Sequence, residues 1–290
     1  MQKVFLLIGL WLLGTAIGFG QQQRKDLAKA SVKKDIQGSL FIIGGGHKDQ
    51  HLMQDMVDAA ALKPQDYIAI LPMASGYAEE SAADMRRQLA LVTKNKVWSK
   101  NFSRAQASQE NLVDSIRGAK LIYITGGDQN RFMEVVRGTP LFEAIHKAFA
   151  QGACIAGTSA GAAMMSEYML SGNQLLDTAY HSTFSSLRHN NVELVAGLGL
   201  LKGAIVDQHF IKRSRYNRLF SALAAQPTLV CIGIDESTAI LVKGKHVQVL
   251  GEAQVVVASD FEGLSKKEDD KITFDNVRLR VYAAPKEFSL

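Results

Sequence analysis

Six short apolar runs constrain the fold more than any other feature: Ser39 to Ile43, Tyr67 to Leu71, Leu121 to Thr125, Ala153 to Ala156, Gly203 to Val206 and Leu229 to Ile234. They lack the alternation of a half-exposed strand, so each reads as a strand covered on both faces. Between them lie amphipathic stretches near Gln50 to Ala61, Glu79 to Thr93, Gln109 to Arg117, Gln129 to Val136, Pro140 to Gln151 and Ser214 to Ala225, which read as helices. The alternation predicts an α/β fold: an open, mostly parallel sheet flanked by helices. After it, Ala239 to Val242, His246 to Leu250 and Gln254 to Val257 are separated by turn signals at Lys243-Gly244-Lys245 and Gly251. They predict an antiparallel C-terminal extension along one side of the sheet.

Residues 1–20 read as a secretory signal, with Lys3 before the apolar run Val4 to Leu13 and small residues at Gly18-Phe19-Gly20. That run is short for a membrane span, so no stable membrane association is expected after cleavage, and the chain is expected to be exported, to the periplasm or beyond. Residues 21–37 are polar and read as a flexible lead-in, and 38–290 as one domain. The formal net charge is only +5, and no basic stripe interleaved with aromatics occurs, so nucleic acid is not an expected partner. Cys154 and Cys231, the two cysteines, sit in apolar runs and read as buried small hydrophobes.

Chemistry enters at Gly157-Thr158-Ser159-Ala160-Gly161, directly after the fourth apolar run. A serine flanked by glycines at a strand-to-helix turn is how a nucleophile is displayed, since side chains at the flanking positions would clash. The backbone N–H groups of Ala160 and of Gly127, in the turn Gly126-Gly127-Asp128-Gln129, are candidate oxyanion donors. Serine needs a base. His209, in Asp207-Gln208-His209-Phe210 at the end of another apolar run, should emerge at the same sheet edge as Ser159. For the carboxylate that orients the imidazole, Asp177 lies between the two in sequence, and Glu167, Glu193 and Asp207 are alternatives. Arg213, Arg215 and Arg218 follow closely. At 100° per residue Arg215 and Arg218 share one helix face, where guanidiniums suit substrate carboxylates, and Arg213 joins them only from a preceding loop.

Together these segments resemble the cyanophycinase and aspartyl dipeptidase family of serine peptidases. Ile43-Gly44-Gly45-Gly46, Thr125 to Gln129, Gly157 to Ala162, Asp207 to Phe210 with the three arginines, and Gly233-Ile234-Asp235-Glu236-Ser237-Thr238-Ala239 carry the likeness in order. The resemblance implies a fold akin to class I glutamine amidotransferases, flavodoxin-like in its sheet. It further implies Ser159 as nucleophile, His209 as base and an acidic residue after the elbow, with Asp177 at a fitting spacing. It places Gln129, Asp207, Gln208, Arg213, Arg215 and Arg218 around the substrate, and calls for neither cofactor nor metal. Its implied reaction is exopeptidase cleavage of cyanophycin, a polyaspartate bearing arginine on each side chain, to β-aspartyl-arginine. An α-aspartyl or isoaspartyl dipeptidase and a noncatalytic peptide-binding homologue are the alternatives, and a second copy of the chain is a candidate partner. The chain departs from the family at Gly45-Gly46-His47-Lys48-Asp49, where an acidic residue more often follows the glycines.

Overall fold

A computed structural model describes residues 38–177 and 186–290. The expected signal (1–20) and lead-in (21–37) lie outside the described residues. The strands are β1 (Ser39–Ile43), β2 (Tyr67–Leu71), β3 (Lys96–Ser99), β4 (Leu121–Ile124), β5 (Cys154–Thr158), β6 (Tyr168–Gln174), β7 (Val192–Ala196), β8 (Ala204–Gln208), β9 (Val230–Ile234), β10 (Thr238–Lys243), β11 (His246–Gly251), β12 (Gln254–Glu262), β13 (Ser265–Lys266), β14 (Ile272–Thr273), β15 (Asn276–Ala283) and β16 (Lys286–Ser289). The helices are α1 (Gln50–Ala60), α2 (Ala78–Ala90), α3 (Arg104–Ala107), α4 (Glu110–Arg117), α5 (Gln129–Val136), α6 (Pro140–Ala150), α7 (Ala160–Ala163) and α8 (Tyr216–Ala225).

The central sheet has the order β16-β11-β10-β1-β5-β4-β2-β3. Its β1-β5-β4-β2-β3 portion is parallel throughout. Burial on both faces is visible within β1 itself. Leu40 and Ile42 enter one core with Val113, Ile116, Phe132, Leu141 and Ile145, whereas Phe41 and Ile43 enter another with Leu52, Met56, Ala82, Met85 and Leu89. Helices α4, α5 and α6 thus cover one face and α1 and α2 the other, which removes the need for polar residues on either.

The single sheet expected from sequence is corrected in one respect. Strands β8 and β9 leave the central sheet and form a second one, ordered β15-β12-β9-β8, in which only the β8–β9 pair is parallel. The place beside β1 that a further parallel strand would take is filled by antiparallel β10. The extension divides accordingly: β10 and β11 prolong the central sheet, while the Gln254 to Val257 run becomes part of β12 beside β9. Val206, Ile232, Ile234, Val255 and Val257 pack into the core shared with the central sheet, and Ile205, Cys231, Val256 and Ala258 pack with Leu219 and Leu223 of α8. Both cysteines are free and buried, and burial pushes the Cys154 thiol up to about 11. No described helix is long and apolar enough to cross a membrane.

Candidate active site

The C-terminal ends of β5, β8 and β9 bring three side chains together. Ser159 follows β5 at φ 54° and ψ −112°, a conformation that costs of order 1–3 kcal/mol and holds the hydroxyl out at the turn. The elbow glycines permit it. A Cβ on Gly157 would lie 2.4 Å from Gly161 O, and one on Gly161 2.5 Å from Ile124 O, so neither position accepts a side chain. His209 follows β8 and is buried, with Nε2 2.9 Å from Ser159 Oγ. Its Nδ1 lies 2.6 Å from Oε1 of Glu236, in the turn between β9 and β10.

The first glycine turn is the common anchor of these segments. Ser159 N–H donates to Ile43 O (3.0 Å), His209 N–H to Gly44 O (2.8 Å) and Ser237 N–H to Gly45 O (2.9 Å). Successive carbonyls leaving β1 therefore set the relative positions of serine, histidine and the acid-bearing turn. Gly45 must be glycine here: its φ is 117°, and a Cβ would lie 2.3 Å from His209 Cε1, inside the imidazole.

The carboxylate at His209 corrects the sequence reading. Asp177 is held by Asn191, whose Nδ2 donates to its Oδ2 at 2.7 Å. Glu193 accepts from Ser171 and Asn173, Glu167 donates its N–H to Leu201, and Asp207 is enclosed by arginines. Glu236 lies beyond histidine in the chain, whereas the acids that the sequence offers, Glu167, Asp177, Glu193 and Asp207, all lie between serine and histidine. The usable signal is its place two residues after β9, the strand hydrogen-bonded to β8, which His209 follows.

Asp207, Gln208, Arg215 and Arg218 form one buried cluster behind His209. Arg218 Nε donates to Asp207 Oδ2 at 2.8 Å, while its Nη2 donates to Oδ1. Arg215 Nη1 donates to Gln208 O and Oε1, both at 2.8 Å, and to Asp207 Oδ1 at 3.3 Å. Burial alone would push the Asp207 carboxyl up, but Arg218, then Arg215 and the Gln208 N–H, hold it below its ordinary value. The Arg218 fork, expected from sequence to meet substrate, is thus given over to Asp207. Replacing Asp207 by Asn should cost roughly 3–5 kcal/mol, because it leaves the buried Arg218 guanidinium without the carboxylate that it binds. Urea unfolding checks this, and an unchanged midpoint would contradict it.

Half-buried Arg213 lies in the turn before α8, where its N–H donates to His209 O and its charge acts on the imidazole. Gln129 opens α5 and donates through Nε2 to Leu170 O and Ser171 O. The turn after β4 lies against the serine: a Cβ on Gly126 would lie 3.3 Å from Ser159 Cβ. Gly127 (φ 136°) packs against Ala74, and Ala160 begins α7. For His209, burial foremost, together with Arg213 and Arg215, lowers the pKa from its ordinary value against the opposing pull of Glu236. The imidazole is therefore neutral at pH 7, the form that can take a proton from Ser159. Among the described residues no group of three or more His, Cys, Asp or Glu is arranged to hold a metal ion.

A solved peptidase from an acI-B1 Actinobacterium is similar over 88% of this chain and 99% of its own, with a TM-score of 0.64 and 21% identity, a likeness of fold. Proteins named cyanophycinase from Nostoc sp. and Trichormus variabilis are each 31% identical over 87% of this chain and 85% of their own. The cyanophycinase of Geminocystis herdmanii is 30% identical over 86% of this chain and 93% of its own. The model of peptidase family S51 matches residues 40–250, a span that begins in β1, ends in β11 and contains Ser159, His209 and Glu236. The chain therefore belongs to peptidase family S51 and is a serine peptidase.

Proposed function

We propose that the protein is an exported cyanophycinase, cleaving the polymer to β-aspartyl-arginine through an acyl-enzyme on Ser159. The observation that carries this is the chain Ser159 Oγ, His209 Nε2, His209 Nδ1, Glu236 Oε1 on a strained elbow, in a protein similar to cyanophycinases. Ser159 Oγ attacks the carbonyl carbon while His209 Nε2 takes its proton, and Glu236 stabilises the imidazolium through Nδ1–H. The N–H groups of Ala160 and Gly127 meet the developing oxyanion. Collapse breaks the peptide C–N bond, and His209 gives its proton to the leaving amine. Water then attacks the Ser159 ester with His209 again as base, releasing product and restoring the hydroxyl.

Arg213, whose charge acts on the imidazole from the turn before α8, suits a carboxylate of a β-aspartyl substrate. In this reading residues 38–290 are the peptidase domain and 1–20 the export signal, so the enzyme would meet polymer outside the producing cell. Incubation with purified cyanophycin should release β-aspartyl-arginine, identified by mass spectrometry. Intact polymer, with isoaspartyl or α-aspartyl dipeptides cleaved instead, would contradict the substrate but keep the mechanism.

The pH dependence is set by His209. Its protonated form cannot act as base, so kcat/KM should rise with pH as the proton leaves. Because burial and the arginines depress its pKa, the midpoint of that rise should lie below the ordinary imidazole value of 6.5. A pH profile with its acid limb above that value would contradict the assignment.

A further inference from the structure

Outside the catalytic residues, a cavity of about 460 Å³ opens between α5 and the β6–β7 hairpin. Two guanidiniums, Arg104 and Arg137, and two carboxylates, Glu134 and Glu193, line it. Each arginine is tied to main-chain oxygen: Arg104 Nη1 donates to Glu134 O (2.5 Å) and Arg137 O (3.2 Å), and Arg137 Nη2 to Ala196 O. A carbonyl fixes a guanidinium in place without cancelling its charge. Glu193 is held just as firmly, its Oε2 accepting from Ser171 Oγ at 2.6 Å and Asn173 Nδ2 at 2.7 Å. Those bonds lower its pKa and keep it ionised. Yet among the described residues no ion pair within 4.0 Å joins either arginine to either glutamate. Opposite charges are held around one space without closing on each other, and the space has the size of a small-ligand site.

We propose that this cavity is a second binding site, taking a peptide segment that carries both carboxylate and guanidinium groups. Glu134 and Glu193 meet the guanidinium, while the remaining N–H groups of Arg104 and Arg137 meet the carboxylate. In the cyanophycin reading, on which the identity of the ligand rests, such a segment is an aspartyl-arginine unit of the polymer beyond the one being cut. The cavity is joined to the catalytic side through Ser171. Its carbonyl accepts from Gln129 Nε2 (2.7 Å) and Asn130 Nδ2 (3.1 Å), and its hydroxyl donates to Glu193. Asn130, next to Gln129 on α5, and Asn173 on β6 also line the cavity.

The test uses Ser159→Ala protein, which binds without turnover, and two probes: a long β-aspartyl-arginine polymer fragment and a two-unit oligomer. Glu134→Gln and Glu193→Gln together should reduce the affinity for the long fragment, relative to the two-unit oligomer, by about tenfold, the weight of one or two charge-assisted contacts in a partly exposed site. Glu134→Gln alone, which leaves the Ser171 network intact, should lower that ratio in the same direction. An unchanged ratio in the double variant overturns the site, as does equal weakening of both probes, which would report on Gln129 through Ser171. Failure of the Ser159→Ala protein to bind the long fragment also overturns it. Charge-dependent binding of a polymer that the intact enzyme leaves uncut would instead overturn only the substrate reading.

Discussion

Ser159→Ala should lower kcat by about 10⁶-fold, the scale seen when the serine of a catalytic triad is removed, while the unfolding midpoint stays near that of the parent. The attacking oxygen is lost outright. The fold should tolerate the change. Alanine accepts the positive φ of the elbow no worse than serine does, and Ser159 is tied into the structure through its backbone: its N–H bonds Ile43 O, and its carbonyl accepts from Ala162 and Ala163. Circular dichroism and thermal melting beside the kinetics separate lost chemistry from lost structure. Retention of more than about 1% of kcat would contradict the role of Ser159.

Glu236→Gln should cost about 10⁴-fold in kcat, the cost of replacing the acid in such triads. The amide can present its N–H₂ to Nδ1 and favour the wrong tautomer, leaving Nε2 protonated and unable to act as base. Loss of the carboxylate also removes the one influence that raises the His209 pKa, so the acid limb of any residual activity should move to lower pH. Asp177→Asn is the informative partner. Asp177 bonds Asn191, and the Leu176 and Asp177 N–H groups both donate to the Asn191 side chain, so its replacement should leave kcat within about threefold. The reverse ranking, with Asp177 essential and Glu236 dispensable, would contradict the geometry.

What the sequence disclosed and what it withheld follow from the same physics. Strands buried on two faces have the same apolar signature in any sheet, so the six runs were readable as strands. The allocation of β8 and β9 to a second sheet was not, because it depends on β10 occupying the edge beside β1. The elbow was readable because its two glycines answer a local steric demand. His209 was readable as a strand-end residue, although its strand belongs to the second sheet and the carbonyls leaving β1, not a shared sheet edge, set it beside Ser159. Glu236 escaped because nothing local marks it: its contact with His209 arises from the pairing of β8 with β9, twenty-seven residues apart along the chain from histidine to acid. Helical spacing correctly set Arg215 and Arg218 together. It could not disclose that both turn inward to Asp207, which lies eight and eleven residues before them on β8.

The catalytic claim is tested most directly by covalent labelling. A serine-directed aryl phosphonate should inactivate the enzyme stoichiometrically, and mass spectrometry of the digested protein should place the adduct on Ser159. Labelling should vanish in Ser159→Ala and slow sharply in Glu236→Gln, since the hydroxyl there lacks a competent base. An adduct on any other residue, or full activity with Ser159 phosphonylated, would contradict the Ser159–His209–Glu236 account.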